Sequence, residues 1–158
     1  MYLHPHKAEW KAEYLREREL ILLSYGKDIE LHHVGSTAVS GLFAKDCIDI
    51  LGVVENLSEV AARKQGLIEL GYDHKGSYGI PGREYFSKKS RKVHLHIFAS
   101  GDVNINKHLH FVAAMQGNEK LLQELNSLKI RLHNKYPNDR DSYQLEKGHF
   151  YNKLNELL

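Results

Sequence analysis

His33-Val-Gly-Ser-Thr-Ala-Val-Ser-Gly-Leu-Phe-Ala-Lys-Asp-Cys-Ile-Asp49-Ile50-Leu51 joins a turn of small residues to a carboxylate on the strand that follows it. Upstream, Asp28–Val34 reads as a strand that runs into Gly35-Ser36-Thr37. Downstream, after a short connection of helical type, the apolar run Cys47–Val54 reads as a second strand. This layout sets a phosphate-type turn close to a cation-holding group. Gly35 lets the backbone approach a ligand, backbone N–H groups and the Ser36 and Thr37 hydroxyls can donate to phosphate oxygens, and Asp49 can hold the counter-cation. Short Gly/Ser/Thr turns also occur for conformational reasons alone, so the turn needs its context.

Composition sets the outer limits. A chain of 158 residues, 42% hydrophobic and 27% charged, has the length and balance of one globular domain spanning residues 1–158. A net charge of +2 is too mild to support nucleic acid as a partner, although the eleven histidines make the protein more basic below neutral pH. The single Cys47 cannot close an internal disulfide and reads as a buried thiol, which fits a reducing cytoplasm. Met1-Tyr-Leu-His-Pro-His-Lys7 lacks the apolar core of a signal peptide, and no apolar run is long enough to span a bilayer, so a cytoplasmic protein with no membrane partner is expected.

Outward from the opening stretch, the pattern predicts an α/β chain. Lys7–Tyr25 carries Trp10, Tyr14, Ile21, Leu22 and Tyr25 at helical spacing and ends at Gly26. A second helix is predicted from an N-cap at Ser58 to Gly71, completing a β-α-β-α order. Tyr72–Tyr78, Arg83–Ser87 and Lys92–Ala99 read as strands of an antiparallel extension. From Asn104 the pattern is helical, broken at Gly117-Asn118 and Pro137-Asn-Asp139.

A second chemical candidate is His94-Leu-His96, because alternate strand residues project from one face about 7 Å apart. Imidazoles beside a carboxylate favour Zn²⁺ or Mn²⁺ over Mg²⁺, and protonated imidazoles can instead bind phosphate. His32 and His33 alternate, so only one of them points into a cleft. Lys45, Arg83, Lys129 and Lys147 are candidate phosphate cations. Tyr143 and Lys147 share a helix face, and Lys45 can equally pair with Asp46. Glu84 is a remaining acid: if it shares a face with Asp49, it restores carboxylate binding of Mg²⁺.

The opening stretch as a whole resembles the signature of the GrpB (UPF0157-type) family of the nucleotidyltransferase superfamily. The resemblance continues through Gly71-Tyr72, Ile80-Pro-Gly-Arg83, Phe86, His94-Leu-His96, His108-Leu109, Leu128-Lys129, Asp139, Tyr143, Lys147 and Phe150. It implies a nucleotidyltransferase-like mixed α/β (α+β) sheet flanked by helices, with a helical C-terminal part. It favours His33 as the cleft-facing histidine and sets the His94/His96 strand near Asp49. It also implies a nucleotide or phosphorylated small molecule bound at His33, Gly35, Ser36, Thr37, Lys45, Arg83, Tyr143 and Lys147. A divalent metal, Mg or Mn with Zn as an alternative, would lie on Asp49, His94 and His96, with Asp49 catalytic. The twelve residues between Ser36 and Asp49 fit the superfamily spacing, but the second acid is absent: Leu51 stands two positions after Asp49. Ser40 replaces a usual proline, and Phe111–Gln116 lacks the usual arginine. Three readings follow: a nucleotidyltransferase-like enzyme using a nucleoside triphosphate, a nucleotide or phosphometabolite binder that has lost transfer chemistry, and a metal-dependent hydrolase built on the histidine pair. Oligomeric state stays open.

Overall fold

The apolar run that carries Asp49 becomes the second strand of a five-stranded sheet, bounded on both sides by partners. The computed structural model describes residues 2–158. The chain runs α1 (Glu9–Tyr25), β1 (Glu30–Val34), β2 (Ile48–Val54), α2 (Glu59–Glu69), β3 (Tyr72–His74), β4 (Arg83–Lys88), β5 (Val93–Ala99), α3 (Val103–Gly117), α4 (Glu119–Lys135) and α5 (Arg140–Asn155), with one turn of 3-10 helix at Ser36–Ala38. The sheet order is β1-β2-β5-β4-β3. Only β2 and β5 are parallel, and the other pairs are antiparallel.

Strand parity separates two faces. Ile48, Ile50 and Val54 of β2, Val93, Leu95 and Ile97 of β5, and Phe86 of β4 pack under α1 and α2 around Trp10, Ile21 and Leu67. On the opposite face Leu51, Val34 and Phe98 pack against Ile105 of α3, with Leu109 at the edge of the cluster. A third apolar cluster joins Val39 and Leu42 of the β1–β2 connection to Phe111, Met115, Leu122, Leu125 and Leu154, which docks the three C-terminal helices onto that connection. Asp49 and His94 share the α3 face by register but lie at its start, before the covered positions Leu51 and Phe98. A cleft opens there.

Several expectations shift for local reasons. β1 begins at Glu30 rather than Asp28, because Asp28 accepts a 2.7 Å bond from Arg63 Nη2 just after Gly26 ends α1 with φ +121°. β1 and β2 are antiparallel, so they form no β-α-β crossover; one 3-10 turn and a coil connect them. Ser58 does not cap α2, since its side chain accepts no helix N–H; instead Asn56 Oδ1 accepts from the Ser58 N–H at 3.2 Å. The strand predicted to reach Tyr78 stops at His74. Gly76, Tyr78 and Gly79 all turn with positive φ there.

Register also settles two directions. Glu84 pairs with Ile97, so it lies on the α1/α2 face, hydrogen-bonded to His74, and does not join Asp49. His33 pairs with Ile50 and lies on that same face, stacked on Tyr14 of α1 at 4.7 Å, instead of pointing into the cleft. The N-terminal arm is fixed by a two-bond bridge between His4 and Ala44, at 2.8 and 2.9 Å. No helix among the described residues is long and apolar enough to cross a membrane.

Candidate functional site

Gly35 has φ +72° and ψ −173°, a conformation essentially reserved for glycine. A Cβ there would fall 2.9 Å from Asp49 Oδ2, so the turn lies directly against the carboxylate. The hydrogen bonds of the 3-10 turn begin at Ala38 and Val39, which leaves the Ser36 and Thr37 N–H groups at its open N-terminal end. From α4, the buried Lys129 Nζ donates to Ser36 Oγ at 2.6 Å and to the Phe43 carbonyl at 2.7 Å. An ammonium only donates, so the Ser36 hydroxyl keeps its own proton for another acceptor. Burial, followed by repulsion from Lys147 and Lys45, lowers the Lys129 pKa well below its ordinary value. Thr37 Oγ1 lies 2.9 Å from His33 Nε2, so His33 braces the turn from behind. Burial pushes the His33 pKa down to about 4.

Asp49 Oδ1 is 3.1 Å from His96 Nε2 and 3.6 Å from His94 Nδ1, and its side chain retains 30% exposure toward the cleft. Burial pushes its carboxyl up, but hydrogen bonds to His94 and His96 outweigh that and hold it well below the usual carboxylate range. Arg83 is buried behind His96. Its guanidinium donates to the carbonyls of Ser77 and Tyr78 at 3.1 and 2.9 Å and approaches His96 Nδ1 at 3.2 Å. Since guanidinium cannot accept, Nδ1 accepts and the proton of His96 sits on Nε2, facing Asp49. Both nitrogens of His96 are thereby engaged. Next to it, His108 is pushed down to about 4 by burial and then by His96.

The cleft has a volume of about 720 Å³. Five basic residues line it, Lys45, Lys92, Lys129, Arg140 and Lys147, against the acids Asp46 and Asp49. Asp46 is already engaged by Arg91 at 2.9 Å and by Trp10 Nε1 at 2.8 Å, so it leaves Lys45 free of the expected pairing. The Lys45 and Lys147 ammonium groups lie 5.3 and 5.2 Å from the centre of the Tyr143 ring, and Tyr2 flanks Lys45 at 5.5 Å. Aromatic faces partly offset the repulsion of two neighbouring cations. Burial, then Lys45, lowers Lys147 to about 8.

Of the residues singled out from the sequence, Gly35, Ser36, Thr37, Lys45, Asp49, His94, Lys129, Tyr143 and Lys147 all line this cleft. Arg83 and His96 stand behind Asp49 and His33 behind the turn, outside the lining. Sequence reasoning missed the arm residue Tyr2, together with Lys92 and Arg140, and read Cys47 as a buried thiol, whereas it is half-buried and lines the cleft. Arg140 was readable: it lies three before Tyr143 and seven before Lys147, on the same helical face.

Two Mg²⁺ ions need several anionic oxygens. Leu51 is fully buried among apolar side chains and Glu84 is on the other face, so the residues present do not fit a metal pair of that kind. One donor atom from each of Cys47, Asp49 and His94 does lie within 4.8 Å of the other two.

A mixed sheet with this turn and carboxylate defines a nucleotidyltransferase-like fold. Solved structures that share it include the MgGTP-bound Cid1 poly(U) polymerase, with TM-score 0.58 and 14% identity over 82% of this chain and 44% of that one. The crystal structure of the conserved protein GrpB from Enterococcus faecalis superposes with TM-score 0.91 and 25% identity over 98% of this chain and 94% of that one. The family model described as GrpB protein matches residues 1–156, and the chain belongs to that family. Among its relatives, the glutamate-rich protein GrpB of Alkalihalophilus pseudofirmus is 35% identical over 96% of this chain and 92% of its own length. The UPF0157 protein YqkA of Bacillus subtilis is 30% identical over 87% of this chain, which spans only 41% of that relative.

Proposed function

We propose that the cleft binds a nucleotide or another phosphorylated small molecule, with lysines in the charge-neutralising role that divalent metal ions have in phosphoryl-transfer enzymes. The observation that carries this reading is that five basic residues line the cleft shared with the Gly35-Ser36-Thr37 turn, one of which, Lys129, donates to the Ser36 hydroxyl at 2.6 Å. In the proposed arrangement phosphate oxygens accept from the open N–H groups of the turn and from the Ser36 hydroxyl. Lys45, Lys147 and Arg140 neutralise the outer phosphates. Asp49 accepts the His96 Nε2 proton and limits the mutual repulsion of the lysines when no ligand is bound.

In-line transfer requires stabilisation of charge on both the attacking and leaving oxygens, which the relevant enzymes obtain from several carboxylate-held ions. With Leu51 in the core and Glu84 on the opposite face, binding without transfer is the stronger reading. The single unpaired Cys47 is consistent with the reducing cytoplasm in which we place the protein.

The test is isothermal titration of the purified chain with nucleoside triphosphates, nucleoside monophosphates and pyrophosphate, each in EDTA and in Mg²⁺. Binding that survives EDTA and weakens on Lys147→Met supports the proposal. Absence of binding by any phosphorylated ligand, or binding that strictly requires Mg²⁺, overturns it. A parallel assay for pyrophosphate release from the bound triphosphate is expected to show no turnover.

A further inference from the structure

We infer that Cys47, Asp49 and His94 form a site for one thiophilic divalent metal ion of the zinc type, held at the floor of the cleft. This goes beyond anion binding by the lysines and stands on different atoms.

The three side chains come from adjacent positions that the fold fixes. Cys47 precedes β2, Asp49 is its second residue, and His94 pairs with Asp49 in the parallel register of β5. Cys47 Sγ, a carboxylate oxygen of Asp49 and a ring nitrogen of His94 all lie within 4.8 Å of one another. Tetrahedral zinc, with bonds of about 2.0 to 2.3 Å, sets its ligand atoms roughly 3.5 Å apart, so side-chain adjustments of about 1 Å close the site. Mixed sulfur, nitrogen and oxygen donors select zinc or a neighbouring transition metal over Mg²⁺. The carboxylate is oriented from outside the site: His96 donates Nε2–H to Asp49 Oδ1 and is itself held by Arg83, an arrangement that fixes a metal ligand in place.

Burial and then Asp49 push the free Cys47 thiol up to about 12, so the metal itself has to displace the thiol proton. A Mg²⁺ ion on Asp49 alone would add net positive charge to a cleft already lined by five cations. A divalent ion bound by both the Cys47 thiolate and the Asp49 carboxylate forms a neutral unit, so with the thiol proton released it adds one positive charge to the cleft where Mg²⁺ on Asp49 alone adds two. On binding, the metal replaces the thiol proton, which leaves to solvent, and no electrons are transferred. All three ligands line the cleft, so the fourth coordination position opens to it and takes water or a ligand oxygen.

The chain's one cysteine makes the experiment unambiguous. Metal-free full-length protein is titrated with Co²⁺ in phosphate-free buffer, and the near-ultraviolet thiolate-to-cobalt charge-transfer absorption is followed. The expected result is saturation at one ion per chain, with the band abolished by Zn²⁺ displacement and in Cys47→Ser and Cys47→Ala. His94→Ala and Asp49→Asn remove direct ligands and should each weaken binding by at least the roughly tenfold to hundredfold that loss of an outer-shell partner costs. Surface histidines can bind cobalt but give no thiolate band, so cobalt uptake without it overturns the proposal. A band of unchanged affinity in both His94→Ala and Asp49→Asn also overturns it, since the thiol would then be acting alone. Pyrophosphate titration of the same metal-free protein reads the lysine-based anion site separately, so failure of one reading is distinguishable from failure of the other.

Discussion

Lys129 and Ser36, 93 positions apart in sequence, meet with Nζ 2.6 Å from Oγ at the inner end of the cleft. The contact joins α4 to the phosphate-type turn, and a second bond from the same ammonium to the Phe43 carbonyl ties in the connection that leads to β2. A buried cation is costly unless its donors are satisfied. Here two of its three N–H bonds have acceptors, both in the segment that shapes the site.

Replacing Lys129 by methionine keeps most of the buried volume and removes the charge. The lost bonds to the Phe43 carbonyl and to Ser36 Oγ together cost about 1 to 3 kcal/mol, while relief of the cation's burial offsets a similar amount. Unfolding free energy in urea is therefore expected to change by about 1 kcal/mol or less. Affinity for pyrophosphate should fall about tenfold or more. A loss of stability comparable to the loss of affinity would make Lys129 a structural strut rather than a ligand group.

Lys147 gives the site a pH dependence whose sign is fixed by its lowered pKa of about 8. Below that pH the ammonium is charged in folded and unfolded chains alike, and the folded state bears the full burial penalty. As pH rises from about 8 toward the unfolded value near 10.4, the folded chain releases its proton first and the free protein gains stability. Anion affinity moves the opposite way, falling on the order of tenfold between pH 7 and 9.5. Titrations of pyrophosphate across that range check it, with Lys147→Arg expected to flatten the fall and Lys147→Met to give weaker binding at pH 7 and a smaller fall, the remainder coming from Lys129 and Lys45, whose pKa values burial also lowers.

The local pattern revealed the central strand, the turn and nearly every helix, because apolar period and breakers such as Gly26 and Pro137 act over a few residues. What it left open was parity. His33 and Glu84 fell on the α1/α2 face because the register pairs them with Ile50 and Ile97, and a shift of one residue would reverse both. Tyr2 and Arg140 reach the cleft only through tertiary docking, the first by the His4–Ala44 bridge and the second by packing of α5. Arg83 read as a cleft cation, yet the carbonyls of Ser77 and Tyr78 draw its guanidinium behind His96.

That position of Arg83 predicts a tautomer. With a guanidinium N–H on Nδ1, the His96 ring should carry its proton on Nε2, visible in long-range proton–nitrogen correlation spectra of imidazole-labelled protein. Arg83→Met is expected to mix the two tautomers and to destabilise the fold by about 2 kcal/mol through loss of its hydrogen bonds. Arg83→Lys should only partly restore the spectrum, because one ammonium cannot reproduce the planar fork. An unmixed Nε2–H tautomer in Arg83→Met would show that Asp49 alone fixes the ring.

Leu51 occupies the position where a second acid would complete a metal pair, and the fold uses it for something else. Its side chain is fully buried with Val34 and Phe98 against Ile105, so it supports the packing of α3 on the sheet. Leu51→Ala should cost about 2 to 5 kcal/mol through loss of contacts and the cavity left behind. Leu51→Asp adds the burial of a carboxylate without a partner, and about 2 kcal/mol beyond the alanine variant is expected. At roughly 2 to 4 °C per kcal/mol for a chain of this size, the two variants should differ by about 4 to 8 °C in thermal midpoint. Pyrophosphate release from nucleoside triphosphates should stay absent in Leu51→Asp with Mg²⁺, because the new carboxylate lies under α3 instead of facing the cleft. Transfer activity in that variant would mean that α3 lifts from the sheet in solution, and the position would then be one substitution away from catalysis.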